Sequence, residues 1–563
     1  MGCGGSTLPT SLDARPFAGL DGSQQDKTSN NERKEDLNDN NEIVVVQNRS
    51  PDLKPEIHIE DLSSDVTHKK MPENFHPNVV SPAVADKIRA SLVQGELYCD
   101  PDFPADDVIL SGTIEDKDQY GDILWKRPQE MVDAPSLLVG GAGRNDVKQG
   151  ILGDCWFLSS CAVVSQQVQF MNRIIPPNQP LYGPDYQGLV EFRFWQYGEW
   201  VTVVIDDRLP TQDGRLIFAR CVDPNEFWIS LLEKAYAKLH YTYEALGGGQ
   251  TMDALVDLTG GLAERYEMTS VDYNMYRQIQ RAFKNGGFIA CSKKGNWKTA
   301  NQADPNGLVA GHAYSITDIK RIRHKKGEER LVRIRNPWGD ATEWKGSWSD
   351  ADSNWNWVDQ DTKAALQVER KSDGEFWMSY KDFCKHFSEV TICTVGPDFD
   401  GDGVADNVGC VKTSPGKWIC GLSAGGCRND VDSFATNPQY LLHLTKADKF
   451  DVRTDDPEME GKCNVVIALM QDHRESRQKM EYLQIGFVLY QTEDPSQRLP
   501  PRHFRYNYDS GKSGVYINYR EVSNRFDLDP GYYVIIPSTF GAQETGSFIL
   551  RVFGQENFDL SPI

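Results

Sequence analysis

Apolar and polar residues divide the chain into an irregular polar beginning and a long periodic remainder. Residues 1 to about 75 are polar, as in GSQQDKTSNNERKEDLNDNNE, and so few apolar residues do not support a packed core. We therefore expect a disordered tether there. A helical pattern begins near Ala83 in SPAVADKIRASLVQ, and FWISLLEKAYAKLHYTYEAL repeats apolar residues at the 3.6-residue period of a helix.

Alternating apolar residues predict strands in the rest of the chain. VEFRFWQYGEWVTVVIDD indicates two strands joined by Tyr-Gly-Glu, and AYSITDI and RLVRIRNP indicate further strands. From about residue 408 onward, the chain is rich in short predicted strands, such as YLLHLTKA, NVVIALMQ and IGFVLYQT, with turns between them at short intervals. This spacing is typical of an antiparallel sandwich. The pattern as a whole predicts an α+β chain.

Length and charge narrow the class of protein. A chain of 563 residues is expected to form roughly three to four domains. The formal net charge of −22 argues against a nucleic-acid-binding protein and is compatible with acidic clusters that bind cations. We see no apolar run long enough to cross a bilayer and no signal peptide, so we expect reduced cysteines.

One cysteine stands in an unusual context. In QGILGDCWFLSS, two glycines and Asp154 precede Cys155, and the apolar run CWFLSSCAVV follows as a predicted buried helix. Asp154 suits the N-cap position, which would place Cys155 in the first helical turn. The helix dipole and the free backbone N–H groups stabilise a thiolate there. A small buried thiol is the alternative for any single cysteine, but it has no need of this position.

Four further residues complete a candidate catalytic arrangement. His312 in GHAYSITDI would act as the base, although a core or surface histidine is the commoner reading of any one histidine. Asn336 in RNPWG would orient that histidine, and Trp338 would cover their hydrogen bond. Gln149 would donate to a developing oxyanion together with the backbone N–H of Cys155. Gln, Cys, His and Asn in this chain order are typical of papain-like cysteine proteases.

Longer segments of the chain resemble the calpains. LLVGGAGRNDVKQGILGDCW, FRFWQYGEWVTVVIDDRLPT, EFWISLLEKAYAKL, GHAYSIT, RIRNPWG and DGEFWMS are similar to the calpain protease core. GGCRND, NPQYLLHL and PGYYVIIPSTF are similar to the calpain β-sandwich domain. The resemblance covers about residues 96 to 560. It implies an intracellular, calcium-activated cysteine endopeptidase that makes limited cuts in protein substrates.

The resemblance also implies a domain order. We expect an N-terminal tether at 1–75, a first protease lobe with its lead-in at 76–260 and a second lobe at 261–397. A linker and a C2-like antiparallel β-sandwich, calpain domain III, would occupy 398–563. In this two-lobed papain-like core, Cys155 belongs to the first lobe, and His312 and Asn336 belong to the second.

Calcium at one site in each lobe is the cofactor that the resemblance implies, and it would align the two lobes. Oxygen ligands of the types present suit this hard cation, although acidic side chains in loops commonly just face solvent. Arg144 and Glu375 match a pair that links the lobes in the family. The matching ligand positions are Val139, Gly141, Asp146 and Glu226 in the first lobe, and Glu343, Asp350, Lys371, Asp373 and Glu375 in the second.

The N-terminal residues carry a lipidation pattern. Met1-Gly-Cys-Gly-Gly-Ser6 fits N-myristoylation of Gly2, and Cys3 could be palmitoylated beside it. One myristoyl chain binds membrane only marginally, whereas a second acyl chain makes the anchor stable. We expect a cytoplasmic protein held at the inner face of a membrane. A flexible terminus of small residues is the alternative.

A separate acidic loop has the spacing of an EF-hand. Asp398, Asp400, Asp402 and Asp406 occupy positions 1, 3, 5 and 9, and Val404 would supply the carbonyl of position 7. Position 12 is a glycine, so the bidentate glutamate is missing. The loop is either an extra, weak calcium site or an acidic flexible linker.

Two other functions compete with the protease. A catalytically silent adaptor could use the same fold for binding, since fold does not decide function, but it would have no chemical need of an intact triad. Acyl transfer of the transglutaminase kind uses related residues, but the sequence around Cys155 favours calpain.

The calpain C-terminal EF-hand domain does not follow the sandwich, so we expect no EF-hand small subunit as a partner.

Overall fold

The computed structural model describes residues 82–93, 95–111, 122–296, 298, 300, 302–396, 409–450, 457–474 and 482–563. The predicted tether, with Gly2 and Cys3, and the acidic loop at 398–406 lie outside the described residues. Within these ranges, no helix is both long enough and apolar enough to cross a membrane.

The first part of the chain is a mostly helical layer around one buried helix, α3. Every residue of α3 is buried, because its sequence CWFLSSCAVV is apolar or small on all sides. Phe157 stacks on Tyr236 with ring centroids 4.1 Å apart, and the Trp156 indole donates to the carbonyl oxygen of Leu246. The elements are α1 (Pro82–Ser91), α2 (Val108–Ser111), β1 (Leu124–Lys126), α3 (Cys155–Val164), α4 (Val168–Ile174), β2 (Leu189–Gln196), β3 (Glu199–Asp206), β4 (Leu209–Gln212), β5 (Arg215–Leu216), α5 (Trp228–Leu239) and α6 (Thr251–Thr259).

The hairpin that alternation predicted near residue 197 is confirmed. β2 and β3 pair antiparallel from Leu189 opposite Asp206 to Gln196 opposite Glu199. Tyr197 and Gly198 both have positive φ, 47° and 98°, which is the backbone of the tight turn that suits the right-handed twist of a hairpin.

The second part is built on a six-stranded antiparallel sheet. Its strand order is β10-β9-β8-β7-β11-β6, and helices α7 and α9 contribute to its apolar core. The long β8–β9 hairpin carries His312 at its first residue and ends immediately before Asn336. The elements are β6 (Leu262–Glu267), α7 (Tyr273–Lys284), β7 (Phe288–Lys293), β8 (His312–His324), β9 (Gly327–Arg335), α8 (Gln360–Ala365), β10 (Glu375–Ser379), α9 (Tyr380–His386) and β11 (Glu389–Thr394).

The C-terminal part is an antiparallel sandwich, so the predicted α+β fold is confirmed. One sheet has the order β12-β19-β14-β17 and the other β16-β15-β18-β13-β20. Ile467 and Leu550 of the first sheet share a core with Leu442 and Ile535 of the second. The elements are β12 (Cys410–Trp418), α10 (Val431–Phe434), β13 (Tyr440–Leu444), β14 (Cys463–Gln471), β15 (Ile485–Thr492), α11 (Pro501–Tyr506), β16 (Gly511–Lys512), β17 (Glu521–Leu528), β18 (Gly531–Thr539), β19 (Gly546–Gly554) and β20 (Phe558–Pro562).

The sandwich contacts the connection between the first two parts. The buried Arg551 guanidinium donates to the carbonyl oxygens of Gly260 and Gly261, at 2.9 and 3.0 Å. Gly260 ends α6 in the left-handed conformation, with φ 68°. A Cβ on Gly261 would lie 2.5 Å from the Cys393 sulfur. These two glycines therefore allow a sharp, closely packed chain reversal where α6 leads into β6.

Candidate active site

Cys155 is the first residue of α3, as the sequence predicted. Its Sγ accepts a hydrogen bond from the backbone N–H of Ala313 at 3.4 Å, so the sulfur lies beside the start of β8. Asp154 occupies the N-cap position, but its side chain makes no capping hydrogen bond. The predicted side-chain cap is therefore wrong, because the Asp154 carboxyl is fully buried and turns towards Gln149 instead.

His312 and Asn336 form a buried hydrogen-bonded pair. The His312 Nε2 lies 2.9 Å from the Asn336 Oδ1. The Asn336 Nδ2 donates to the carbonyl oxygen of Thr342 at 3.0 Å, and its Oδ1 also accepts the backbone N–H of Trp338 at 3.1 Å. These bonds fix the amide orientation, so Nε2 of neutral His312 must carry the hydrogen. Its Nδ1 is then the basic nitrogen, as a proton acceptor for a thiol requires.

Aromatic rings enclose the imidazole. The Trp338 ring centroid lies 5.2 Å from that of His312, and the Tyr314 ring makes an edge contact at 4.9 Å. His312 is only 3% exposed and Asn336 is fully buried. Trp338 therefore stands where the sequence placed it, against the His–Asn pair, where it limits access of water.

Gln149 is hydrogen-bonded both to its own loop and to the turn that carries Asn336. Its backbone N–H donates to the carbonyl oxygen of Pro337 at 2.9 Å. Its side-chain Nε2 donates to Leu152 at 2.7 Å and to Asp154 Oδ1 at 3.3 Å. The amide nitrogen thus lies in the same loop as Cys155, and both of its hydrogens are engaged within that loop.

Burial keeps both reacting groups neutral in this arrangement. Loss of hydration raises the pKa of the Cys155 thiol to about 12, against a smaller opposing effect of the Ala313 N–H. Burial likewise lowers the pKa of His312 to about 4, although Asn336 acts in the other direction. A thiolate–imidazolium pair would have to form by proton transfer between the two, because neither charge is stable there alone.

The predicted calcium ligands of the first lobe come from two loops. Glu226 is 3% exposed, and its Oε1 accepts the backbone N–H of Val139 at 2.8 Å. Burial raises the pKa of Glu226 to about 7, and the neighbouring Asp146 adds to this shift. Asp146 accepts the backbone N–H of Gly143 at 2.6 Å. Gly141, with φ 99°, lies between Val139 and Gly143 in the chain.

Acidic side chains affect one another electrostatically among the predicted ligands of the second lobe. Burial raises the pKa of Glu343 to about 7 and that of Asp350 to about 6, and the carboxylate of Asp373 contributes to both shifts. The backbone of Lys371 hydrogen-bonds to Asp350, while the Lys371 side chain pairs with Glu369 at the surface. Asp350, Lys371, Asp373 and Glu375 line a cavity of about 230 Å³.

Donor chemistry in both places is oxygen from carboxylates and backbone, which suits calcium. In the part of the chain that the structure describes, no three His, Cys, Asp or Glu side chains are already gathered as a metal-binding group. Glu375 in particular has both oxygens engaged by Arg144, Arg333 and Thr317. The ligand assignments therefore stay predictions.

Direct contacts join the two lobes at the active site. Arg144 pairs with Glu375 at 2.9 Å, as the resemblance implied. Sequence reasoning missed Arg335, whose buried Nη2 donates to the carbonyl oxygens of Asn145 and Val147 at 3.3 and 3.0 Å. Its place next to Asn336 was the available signal, but charged side chains are rarely expected to be buried.

Comparisons with known proteins agree with this geometry. Residues 98–394 match the family model described as calpain family cysteine protease, and residues 414–553 match calpain large subunit, domain III. Calpain-A of Drosophila melanogaster is 41% identical over 83% of this chain and 57% of its own length.

Two vertebrate proteins are equally similar. Calpain-9 of Homo sapiens is 41% identical over 83% of this chain and 66% of its own length. The calpain-2 catalytic subunit of Gallus gallus is 41% identical over 83% of this chain and 67% of its own length. The chain thus spans between about half and two thirds of the curated relatives it matches. With a family model over more than half of its residues, the chain belongs to the calpain family of cysteine proteases.

Proposed function

We propose that this chain is a calcium-dependent cysteine endopeptidase that makes limited cuts in protein substrates. The observation that carries the proposal is the buried His312–Asn336 hydrogen bond of 2.9 Å. The sulfur of Cys155 lies beside this pair, because it accepts the backbone N–H of Ala313, the residue that follows His312. A nucleophile, a base and a group that orients the base are the parts that covalent acyl transfer requires.

Each of these residues then has a defined role in hydrolysis of the peptide bond. The Cys155 thiol gives its proton to Nδ1 of His312 as the sulfur attacks the substrate carbonyl carbon. Asn336 holds the imidazole through Nε2 and stabilises the imidazolium, which returns the proton to the leaving amine. The Cys155 backbone N–H and the Gln149 amide stabilise the oxyanion of the tetrahedral intermediate. Water then hydrolyses the thioester and regenerates the thiol.

Calcium would act on lobe alignment, away from the bond that is broken. In the first lobe, Asp146 and Glu226 would bind the ion together with backbone oxygens of Val139 and Gly141. In the second lobe, burial raises the pKa of Glu343 and of Asp350, and repulsion by the Asp373 carboxylate adds to both shifts. A divalent cation would relieve that repulsion and draw the loops together. Arg144–Glu375 would pass the rearrangement between the lobes.

Casein cleavage in calcium and in chelator tests the proposal. Cys155→Ala should abolish cleavage and leave the far-ultraviolet circular dichroism unchanged, since a methyl group replaces a small buried thiol. Residual turnover in Cys155→Ala would remove the nucleophile assignment, and a folded wild type without any cleavage would favour the adaptor reading. Asp146→Ala and Asp350→Ala should each raise the calcium concentration for half-maximal activity. The exposed Asp361→Ala is the matched control, and equal activity in chelator and calcium would reject the calcium part.

Membrane tethering is a second part of the proposal. The support is the Gly2 motif with Cys3 beside it, because two acyl chains anchor stably where one does not. In cells that contain the acyltransferases, Gly2→Ala should move the protein to the soluble fraction, and Cys3→Ser should weaken its retention. Wild type found wholly in the soluble fraction would reject the tether.

A further inference from the structure

The side chain of Gln149 is held by its own loop. One hydrogen of Nε2 is donated to the Leu152 carbonyl at 2.7 Å and the other to Asp154 Oδ1 at 3.3 Å, while Oε1 is buried with no hydrogen-bond partner among the described residues. A bond to this carbonyl alone would leave the planar amide free to rotate about that bond. The orientation of the second hydrogen therefore depends on Asp154.

Asp154 meets a second buried carboxyl group, that of Glu233 on α5. Asp154 is fully buried and Glu233 is 1% exposed, and each carboxyl affects the pKa of the other. Asp154 Oδ2 is buried and has no donor among the described residues while both carboxyls are ionised. Glu233 also accepts the backbone N–H of Ala219, at 3.0 and 3.2 Å to its two oxygens. Ionised carboxylates only accept hydrogen bonds, so a contact between two of them requires a proton on one.

The surroundings favour a single negative charge on the pair. Cys155, Cys161 and Tyr243 face it, and no basic side chain of the described residues is among the groups that shift the pKa of either carboxyl. Burial and the neighbouring carboxyl raise the pKa of Glu233 well above its usual range, and burial raises that of Asp154 to about 7. Burial and mutual repulsion thus favour one retained proton on the pair at neutral pH.

We propose that Asp154 and Glu233 share one proton and act together as positioning residues that orient the Gln149 amide for oxyanion stabilisation. Glu233, anchored by Ala219, donates its O–H to Asp154 Oδ2, and Asp154 Oδ1 accepts from Gln149. If both carboxyls were charged, repulsion would separate them and carry Asp154 away from Gln149. The proposal rests on the oxyanion role of Gln149.

The geometry also explains how the amide can still serve the reaction. The Gln149–Asp154 bond, at 3.3 Å, is the longer of the two bonds made by Nε2. Its hydrogen is therefore the one for which a developing oxyanion competes. A single shared charge also limits the electrostatic penalty on the Cys155 thiolate, whose pKa the neighbouring Asp154 raises.

A mutant cycle at saturating calcium tests the pair. Gln149→Ala should lower kcat by about 10²–10³-fold, and Asp154→Ala should lower it by about 10–100-fold through misplacement of the amide, with KM nearly unchanged. The double variant should be no slower than Gln149→Ala, because Asp154 acts through Gln149. Multiplied losses in the double variant would overturn the proposal.

Conservative variants separate positioning from folding. Glu233→Gln keeps a donor towards Asp154 and should retain near wild-type kcat at pH 7, whereas Glu233→Ala should fall as Asp154→Ala does. The alkaline loss of kcat that follows removal of the shared proton should be absent in Glu233→Gln and present in the exposed control Glu199→Gln. Should Asp154→Ala not fold, Asp154→Leu replaces it in the cycle, because it fills a similar volume but cannot accept from Gln149, and the same loss of kcat is expected.

Two results would contradict the idea in different ways. Equal damage in Glu233→Gln and Glu233→Ala would show that the proton is irrelevant. A wild-type kcat in Gln149→Ala would remove the oxyanion role itself and the positioning pair with it, while leaving the Cys155, His312 and Asn336 assignments intact.

Discussion

The backbone N–H of Gln149 donates to the carbonyl oxygen of Pro337 at 2.9 Å. This bond joins the loop that precedes the nucleophile directly to the turn that carries Asn336. Arg335 adds bonds from the same turn to Asn145 and Val147. The lobes thus meet at the residues proposed for catalysis, so a change in lobe alignment must also change the catalytic geometry.

Arg335→Met should uncouple the lobes with little effect on the fold of either one. The guanidinium is 1% exposed and donates to two carbonyl oxygens of the opposite lobe. Hydrogen bonds to a charged group contribute about 1.5–3 kcal/mol each. We expect kcat at saturating calcium to fall at least about tenfold, measured on a fluorogenic peptide.

The matched control for this variant is Arg323→Met on the same hairpin, where the side chain is 89% exposed. It should keep wild-type kcat. Wild-type kcat in Arg335→Met as well would mean that the arginine serves only to fill space beside Asn336.

Alkylation of Cys155 should report its protonation state. The thiol is 7% exposed, and burial raises its pKa to about 12. Because the thiolate is the nucleophile, iodoacetamide at pH 7.5 should modify Cys155 slowly in chelator and faster in calcium. Peptide mass spectrometry would follow the site, with exposed Cys420 as the internal reference. In His312→Ala the calcium-dependent acceleration should be lost, and an unchanged rate would reject the proton transfer.

Much of this arrangement was predictable from sequence, because it depends on local pattern. Cys155 opens α3 and His312 opens β8, since glycine-bounded apolar runs begin at those positions. The turn of Asn336 and Trp338 also follows from adjacent residues. Asp154 was predicted as a side-chain cap, but its partner Glu233 lies on α5 and is brought near only by tertiary packing. A buried charge such as Arg335 was likewise missed, because the carbonyls that satisfy it belong to another element.

Acid should destabilise the calcium-free protein through His312. Its pKa of about 4 lies below the usual value, so below about pH 6.5 the unfolded chain takes up a proton that the folded one does not. Between pH 7 and pH 5 the contribution to the free energy of unfolding should fall by about 2 kcal/mol. Buried carboxyls with raised pKa act in the opposite direction, so the measurement is the difference between wild type and His312→Gln in urea. A difference that is constant with pH would contradict the buried neutral imidazole.

Arg520 should be a main stabilising contact between the sandwich and the first lobe. Its side chain is 3% exposed, bonds both oxygens of Asp257 at 2.9 and 3.1 Å, and donates to the Asp253 carbonyl. Loss of one partner of a buried pair costs about 3–5 kcal/mol. Asp257 keeps hydrogen bonds from Gln196 and Tyr236, so Arg520→Ala is expected at the lower end of that range.

Thermal unfolding in chelator measures the loss, with the exposed Arg502→Ala as control, where a change within about 0.5 kcal/mol is expected. Asp257→Asn combined with Arg520→Met should be less damaging than Arg520→Ala, because it leaves no uncompensated charge. If the double variant is the least stable of the set, the ion pair itself supplies the stability, and the uncompensated charge on Asp257 is not the main cost.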